Sequence, residues 1–144
     1  MKPVRFVSPS KNKTIAYAKK FSAKLKPGDI IALTGNLGGG KTTFIKGLAL
    51  GLGLDDPDEV KSPTFALMHV YRTKPPIYHF DLYRLESPKE IENIGLDEFL
   101  QDASAICCVE WADRAAEFFP PSTYRVHFEV VGTNERRIVI RGHS

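Results

Sequence analysis

The chain has 144 residues, 42% of them hydrophobic and 26% charged, which is the balance of a soluble globular protein and argues against a disordered or fibrous one. A net charge of +3 lies below what an autonomous nucleic-acid binder with a dedicated basic stripe usually shows, so composition makes no demand for RNA. No run approaches the roughly 20 apolar residues of a membrane span and the N-terminus carries no apolar signal region, so one cytoplasmic domain over 1–144, off the membrane, is expected.

Val4-Arg5-Phe6-Val7 reads as a short strand, and Ser8-Pro9-Ser10 offers the start of a helix over Lys11 to Leu25 with an inward stripe of Ile15, Ala18, Ser22 and Leu25. Pro27-Gly28 breaks that helix and turns the chain into Ile30-Ile31-Ala32-Leu33, a continuous apolar run of the kind buried in a sheet. Beyond a glycine-rich stretch, Phe44, Ile45, Leu48 and Leu52 share one helical face, and Gly51 and Gly53 mark its end. Asp55 to Glu59 reads as a surface loop. Phe65 to Tyr71 and Ile77 to Tyr83, joined by Lys74-Pro75-Pro76, read as an antiparallel hairpin. On its return strand, alternation puts Ile77, His79, Asp81 and Tyr83 on one face and Tyr78, Phe80 and Leu82 on the other. Ser87-Pro88 opens a helix to Asn93, followed by a helical stretch from Leu96 to Leu100.

Ala105 to Val109 is again a buried parallel strand, ending on Glu110-Trp111. Its adjacent Cys107 and Cys108 suit buried thiols better than a disulfide or a metal site, so no disulfide-linked partner is expected. Ala112 to Phe118 can form a short helix stopped by Pro120-Pro121. Tyr124 to Val131 and Arg136 to Arg141 form a final hairpin around Gly132-Thr133-Asn134. The alternation of strands and helices predicts an α/β protein with a mixed central sheet flanked by helices.

Chemistry concentrates first in Gly35-Asn36-Leu37-Gly38-Gly39-Gly40-Lys41-Thr42, which places Gly, four free positions, Gly, Lys and Thr between a strand and a helix. That is the pattern of a phosphate-binding loop in a P-loop NTPase. Its glycines let successive N–H groups close around one anion, with Leu37, Gly38, Gly39, Gly40, Lys41, Thr42 and Thr43 as the expected nucleotide contacts. Lys41, expected to be exposed in the empty loop, supplies a point charge for the β- and γ-phosphates, and Thr42 offers a hard oxygen to Mg²⁺.

Hydrolysis also needs a carboxylate beyond the metal and a group to place water. Glu110, at the ligand edge of a buried strand, is the first candidate for the metal. Asp81 is a candidate for orienting water or the magnesium shell, with a salt bridge to Arg84 as the structural alternative. His79 is more readily a hydrogen-bonded structural residue, and Thr64, in Ser62-Pro63-Thr64, is a candidate to close onto the γ-phosphate as switch loops do, with an ordinary turn as the alternative. Trp111 fits either a cover over the site or the core. The guanine-reading Asn-Lys-x-Asp sequence does not occur, which favours ATP over GTP. Arg84 is the only arginine close to these motifs, and alternation beyond Asp81 would point it away from the site. With no arginine finger of its own, the protein is expected to hydrolyse ATP slowly unless a partner stimulates it.

Together, Thr34 to Phe44, Ser62-Pro63-Thr64-Phe65, Tyr78-His79-Phe80-Asp81-Leu82-Tyr83-Arg84 and Val109-Glu110-Trp111 give a chain that resembles the bacterial TsaE (YjeE) family. The His-x-Asp-Leu-Tyr-Arg piece is the specific one, since the loop is shared by many unrelated NTPases. Asn36 and Gly39 stand where the family usually has Asp and Ala, both in free positions of the loop. The resemblance implies an ATPase of tRNA threonylcarbamoyladenosine synthesis, with ATP on the loop, Mg²⁺ on Thr42 and Glu110, and Asp81 important for hydrolysis; with the residue reading above, Asp81, Lys41 and Thr64 are the expected catalytic residues. It also implies the TsaB and TsaD proteins as partners, with tRNA met indirectly through their complex. The competing readings are a nucleotide-dependent binding module and a small P-loop kinase, although the Arg-rich lid of a kinase is missing.

Overall fold

A computed structural model describes residues 2–35, 40–63 and 66–142. The chain runs through β1 (Val4–Ser8), α1 (Lys11–Phe21), β2 (Ile30–Gly35), α2 (Lys41–Gly51), β3 (Met68–Tyr71), β4 (Ile77–Asp81), α3 (Pro88–Asn93), α4 (Leu96–Leu100), β5 (Ile106–Glu110), β6 (Tyr124–Val130) and β7 (Arg136–Arg141). Short 3-10 turns occupy Ser22–Lys24, Pro57–Glu59 and Ala112–Phe118. The seven strands form one mixed sheet in the order β1-β7-β6-β2-β5-β4-β3. β2 runs parallel to both β5 and β6, β4 runs parallel to β5, and β3, β7 and β1 join their neighbours antiparallel. Both expected hairpins are present, and β5 is buried along its whole length.

Local chemistry sets the ends of these elements. Ser10 caps α1 by accepting from the Lys13 N–H, and Ser87 caps α3 by accepting from that of Glu90. The helix expected to reach Leu25 stops at Phe21, where Ser22 donates its hydroxyl to the Lys19 carbonyl and the chain tightens into a 3-10 turn. The strand expected from Phe65 begins only at Met68, because Leu67 takes a φ of 70° and turns the backbone; Thr64 and Phe65 lie outside the described residues. β4 ends at Asp81 rather than Tyr83, since the Asp81 carboxylate accepts from the Tyr83 N–H and closes a turn.

Two apolar layers hold the sheet. On one face Ala18 and Phe21 of α1 and Phe44, Ile45 and Leu48 of α2 pack on Ile31, Leu33, Val126, Phe128, Ile138 and Ile140. On the other, Ile91, Leu96 and Leu100 of the α3–α4 pair cover Ile30, Ala32, Phe80, Cys107 and Val109. Side chains on β4 divide as alternation requires: Ile77 enters the first layer, Phe80 the second, with Tyr78 against it. The sheet therefore presents the C-terminal ends of β2, β5 and β4 side by side at one edge, in the place where parallel sheets bind ligands.

Candidate functional site

β2 delivers the chain to that edge at Gly35, whose φ of 131° and close approach to β6 leave no room for a side chain; a Cβ there would lie 2.3 Å from the Phe128 carbonyl oxygen. At the far end of the loop Gly40 sits at φ 103° as the N-cap of α2 and brings no capping side chain. The start of α2 therefore has no side-chain cap, and the N–H groups and dipole at a helix N-terminus favour a negative ion. Leu37, Gly38 and Gly39, expected to contribute contacts, lie outside the described residues, as does Thr64.

Lys41 departs from expectation. It is buried, 4% exposed, rather than exposed. Its ammonium donates to the Gly35 carbonyl at 2.9 Å and stands 4.3 Å from the centre of the Trp111 ring. Burial lowers its pKa, opposed by the charges of Glu110, Asp81 and Asp113. The lysine is held between the start of the loop and an aromatic face, which keeps its charge within the cavity. Trp111 adopts a left-handed φ of 56°, an uncommon conformation for a bulky side chain and one that clusters at functional sites. Its ring packs on Tyr83 at 4.8 Å, and Trp111 both lines the cavity and packs, partly buried, against the second apolar layer.

The carboxylates come from neighbouring strands. Asp81 and Glu110 are register partners across β4 and β5, and Leu33 of β2 is level with Glu110. Glu110 Oε2 accepts from the Thr42 hydroxyl at 2.8 Å and is 2.6 Å from Nε2 of His79. His79, fully buried, places Nδ1 2.8 Å from the Tyr71 hydroxyl. An ionised carboxylate only accepts, so the bond to Glu110 places an imidazole N–H on Nε2, while the Tyr71 hydroxyl, beside Nδ1, also donates to the Lys61 carbonyl at 3.4 Å. One chain of hydrogen bonds thus fixes Glu110 from the phosphate-loop helix on one side and from β3 and β4 on the other. Asp81 Oδ2 accepts from the Ser62 hydroxyl at 2.6 Å, joining it to the Ser-Pro-Thr segment.

Gly40, Lys41, Thr42, Thr43, Asp81 and Glu110 converge on a cavity of about 380 Å³, closed on one side by Tyr83 and Trp111. Four further lining residues escaped sequence reasoning: Lys11 and Thr14 from α1, and Asn134 and Arg136 from the β6–β7 hairpin. They lie far from the motifs in sequence, and only the sheet order brings them in. Arg136 corrects the view that Arg84 is the only arginine nearby. Its Nη1 donates to the carbonyls of Gly132 and Glu135, holding it to its own hairpin. Since β4 stops at Asp81, strand alternation no longer determines the direction of the exposed Arg84.

Among the described residues no helix is long and apolar enough to cross a membrane, and none of them form a group of three or more His, Cys, Asp or Glu placed for a metal ion. Comparison with known proteins bears on family and fold. The family model described as threonylcarbamoyl adenosine biosynthesis protein TsaE matches residues 8–138. A tRNA threonylcarbamoyladenosine biosynthesis protein TsaE of Bacillus subtilis is 40% identical over 139 residues, 96% of this chain and 85% of that one. Its namesake of Treponema pallidum is 36% identical over 137 residues, 95% of this chain and 99% of that one. A crystal structure of Bacillus subtilis YdiB superposes with a TM-score of 0.82 at 34% identity, covering 99% of this chain and 87% of that one. The chain belongs to the TsaE family of tRNA threonylcarbamoyladenosine biosynthesis proteins.

Proposed function

We propose that the protein binds ATP with Mg²⁺ in this cavity and hydrolyses it in support of tRNA threonylcarbamoyladenosine synthesis, slowly alone and faster with the TsaB and TsaD proteins. The observation that carries the reading is the Thr42–Glu110 hydrogen bond, which ties the first turn of α2 to a strand-end carboxylate. In this pairing the Thr42 hydroxyl donates to Glu110, which leaves its oxygen lone pairs able to accept a hard cation. Threonine oxygen and carboxylate fit Mg²⁺, which takes one or two carboxylates and leaves its other positions to water and phosphate. When bound, the ion neutralises charge on the phosphate oxygens.

The residues divide the work by position. Gly40, Lys41 and Thr43, with Leu37, Gly38 and Gly39 of the loop, hold the phosphates, and Lys41 carries positive charge to the β- and γ-groups. Asp81 accepts from Ser62 and stands level with Glu110, which suits it to orient the attacking water. Thr64, two residues after Ser62, would close over the γ-phosphate. Lys11, Thr14, Asn134 and Arg136 then border the nucleoside. Arg136 is held to its own hairpin through Nη1, and an arginine supplied by a partner adds about 10³ to 10⁵ in turnover in P-loop enzymes, which is the gain expected from TsaB and TsaD.

ADP release measured with Mg²⁺, with and without TsaB and TsaD, tests the proposal. Tight ATP binding with slow release that rises on adding the partners is expected. Release of several per second from the protein alone, with no further gain, would point to a self-sufficient enzyme. Binding with no release even in the complex would leave a nucleotide-dependent binding module.

A further inference from the structure

We infer that the outer face of β1, β7 and β6 docks on the phosphate backbone of a structured RNA. Alternation on these strands sends Val126, Phe128, Ile138 and Ile140 into the core and turns Arg5, Arg125, His127, Arg137 and Arg141 outward, all exposed. The α3–α4 layer packs on β2, β5 and β4, so among the described residues this face carries no helix. The strand register gathers the cations: Arg125 lies opposite Arg141, Arg5 opposite Val139, and Val139 opposite His127. Two arginines facing each other across an antiparallel pair repel and destabilise the sheet.

Internal carboxylates do little to offset this. Glu129, the one acid on these strands, pairs with Arg137 at 3.1 Å and lies 3.9 Å from His127. Among the described residues Arg5, Arg125 and Arg141 have no carboxylate partner. The charge complement of the face is therefore external and anionic. Strands about 4.8 Å apart and outward residues about 7 Å apart along each strand make a flat cationic grid, which suits the closely repeated charge of a nucleic-acid backbone. Guanidinium groups are the side chains best shaped for phosphate, which they bind in a bidentate fork.

An acidic protein is the other class of anion, and the face is poorly built for one. Protein interfaces draw their energy from buried aromatic and large apolar anchors, whereas the only apolar side chains here are Val7 and Val139. Aromatic platforms for unpaired bases are equally lacking on the outward positions, so contact falls on backbone phosphates, which position a nucleic acid without reading its sequence. The family's place in tRNA modification supplies a folded RNA. This docking differs from the expectation that tRNA is met only through the partner complex, and it does not depend on ATP hydrolysis. The modest net charge of +3 conceals the face because acidic residues elsewhere balance it.

The test is fluorescence anisotropy of a labelled, unmodified tRNA transcript with the full chain, from about 50 to 300 mM salt, for wild type and for Arg5→Ala/Arg125→Ala/Arg141→Ala. Wild type should bind with a steep salt dependence, and the triple variant should bind at least tenfold more weakly at low salt with a log–log slope smaller by about two to three. ATP affinity and melting temperature, measured alongside, should stay near wild type. If the triple variant does not fold, Arg125→Ala alone should reduce the slope by about one. Equal affinity and slope in wild type and variant would overturn the proposal, as would absence of tRNA binding at low salt. Tighter binding of polyglutamate than of tRNA would also overturn it and assign the face to an acidic protein.

Discussion

Lys41 and His79 show how far individual side chains are defined by neighbours distant in sequence. Lys41 is recognisable from its loop, but its burial depends on Trp111, seventy positions later. Lys41→Ala should weaken ATP binding ten- to a hundred-fold, the equivalent of about 1.5 to 3 kcal/mol for a charge-assisted contact. Titration followed by Trp111 fluorescence checks this; unchanged affinity would remove the phosphate-loop reading. His79 reads in the sequence as a hydrogen-bonded structural residue, and it does have two partners. One of them is Glu110, a link that requires β4 and β5 to be adjacent. His79→Ala would remove one hydrogen bond each from Glu110 and Tyr71 in a buried pocket, leaving Glu110 with Thr42 and Tyr71 with the Lys61 carbonyl, at a cost of about 1 to 3 kcal/mol in all. The melting temperature should fall, and Mg²⁺-dependent ATP binding should weaken, with partial recovery in His79→Gln. Retention of both properties in His79→Ala would show that Glu110 needs no such support.

Elements were legible wherever pattern and caps coincided. The Ser87-Pro88 start of α3, the apolar runs of β2 and β5, and both hairpins follow from local chemistry alone. Helix α1 was less so. Ala18, Ser22 and Leu25 are buried as its stripe suggested, but Ile15 is only half-buried, while Thr14 and Phe21 face inward. The reason is α2, which crosses so closely that a Cβ on Gly47 would lie 2.4 Å from the Ile15 carbonyl oxygen and 2.5 Å from the Ala18 Cβ. Gly47→Ala gains about 1 kcal/mol of helix propensity but must separate the two helices, and overpacking of this kind costs about 1 to 3 kcal/mol. A melting temperature lowered by a few degrees is expected; a rise would show that the helices yield without cost.

β5 carries a pH signature. Burial pushes the Cys107 thiol up to about 12 and that of Cys108 well above the usual thiol range. The unfolded chain releases these protons from about pH 8.5, while the native protein keeps them, so the folded state binds more protons and stability falls as pH rises above that point. Between about pH 8.5 and 10, below the ordinary tyrosine range, the melting temperature should decline, and Cys107→Ala/Cys108→Ala should flatten the decline. An equal decline in both proteins would assign it to other groups.

At the scale of the molecule, the α/β class with a mixed sheet was legible, and the order β1-β7-β6-β2-β5-β4-β3 was not. Hairpins are local, but the parallel pairings of β2 with β5 and β6 join segments more than seventy residues apart, and no local pattern encodes which strand lies beside which. The same pairings bring Lys11, Asn134 and Arg136 to the cavity and gather arginines on the outer face of β6 and β7. Both features were therefore invisible in composition.

The central claim is that Thr42 and Glu110 form the metal-dependent half of an ATP site. Its most direct test is ATP affinity, measured by titration calorimetry with and without Mg²⁺, in wild type and Glu110→Ala. Wild type should bind more tightly with Mg²⁺, and the variant should lose that gain while keeping the metal-free affinity. A variant that gains as much from Mg²⁺ as wild type would contradict the assignment.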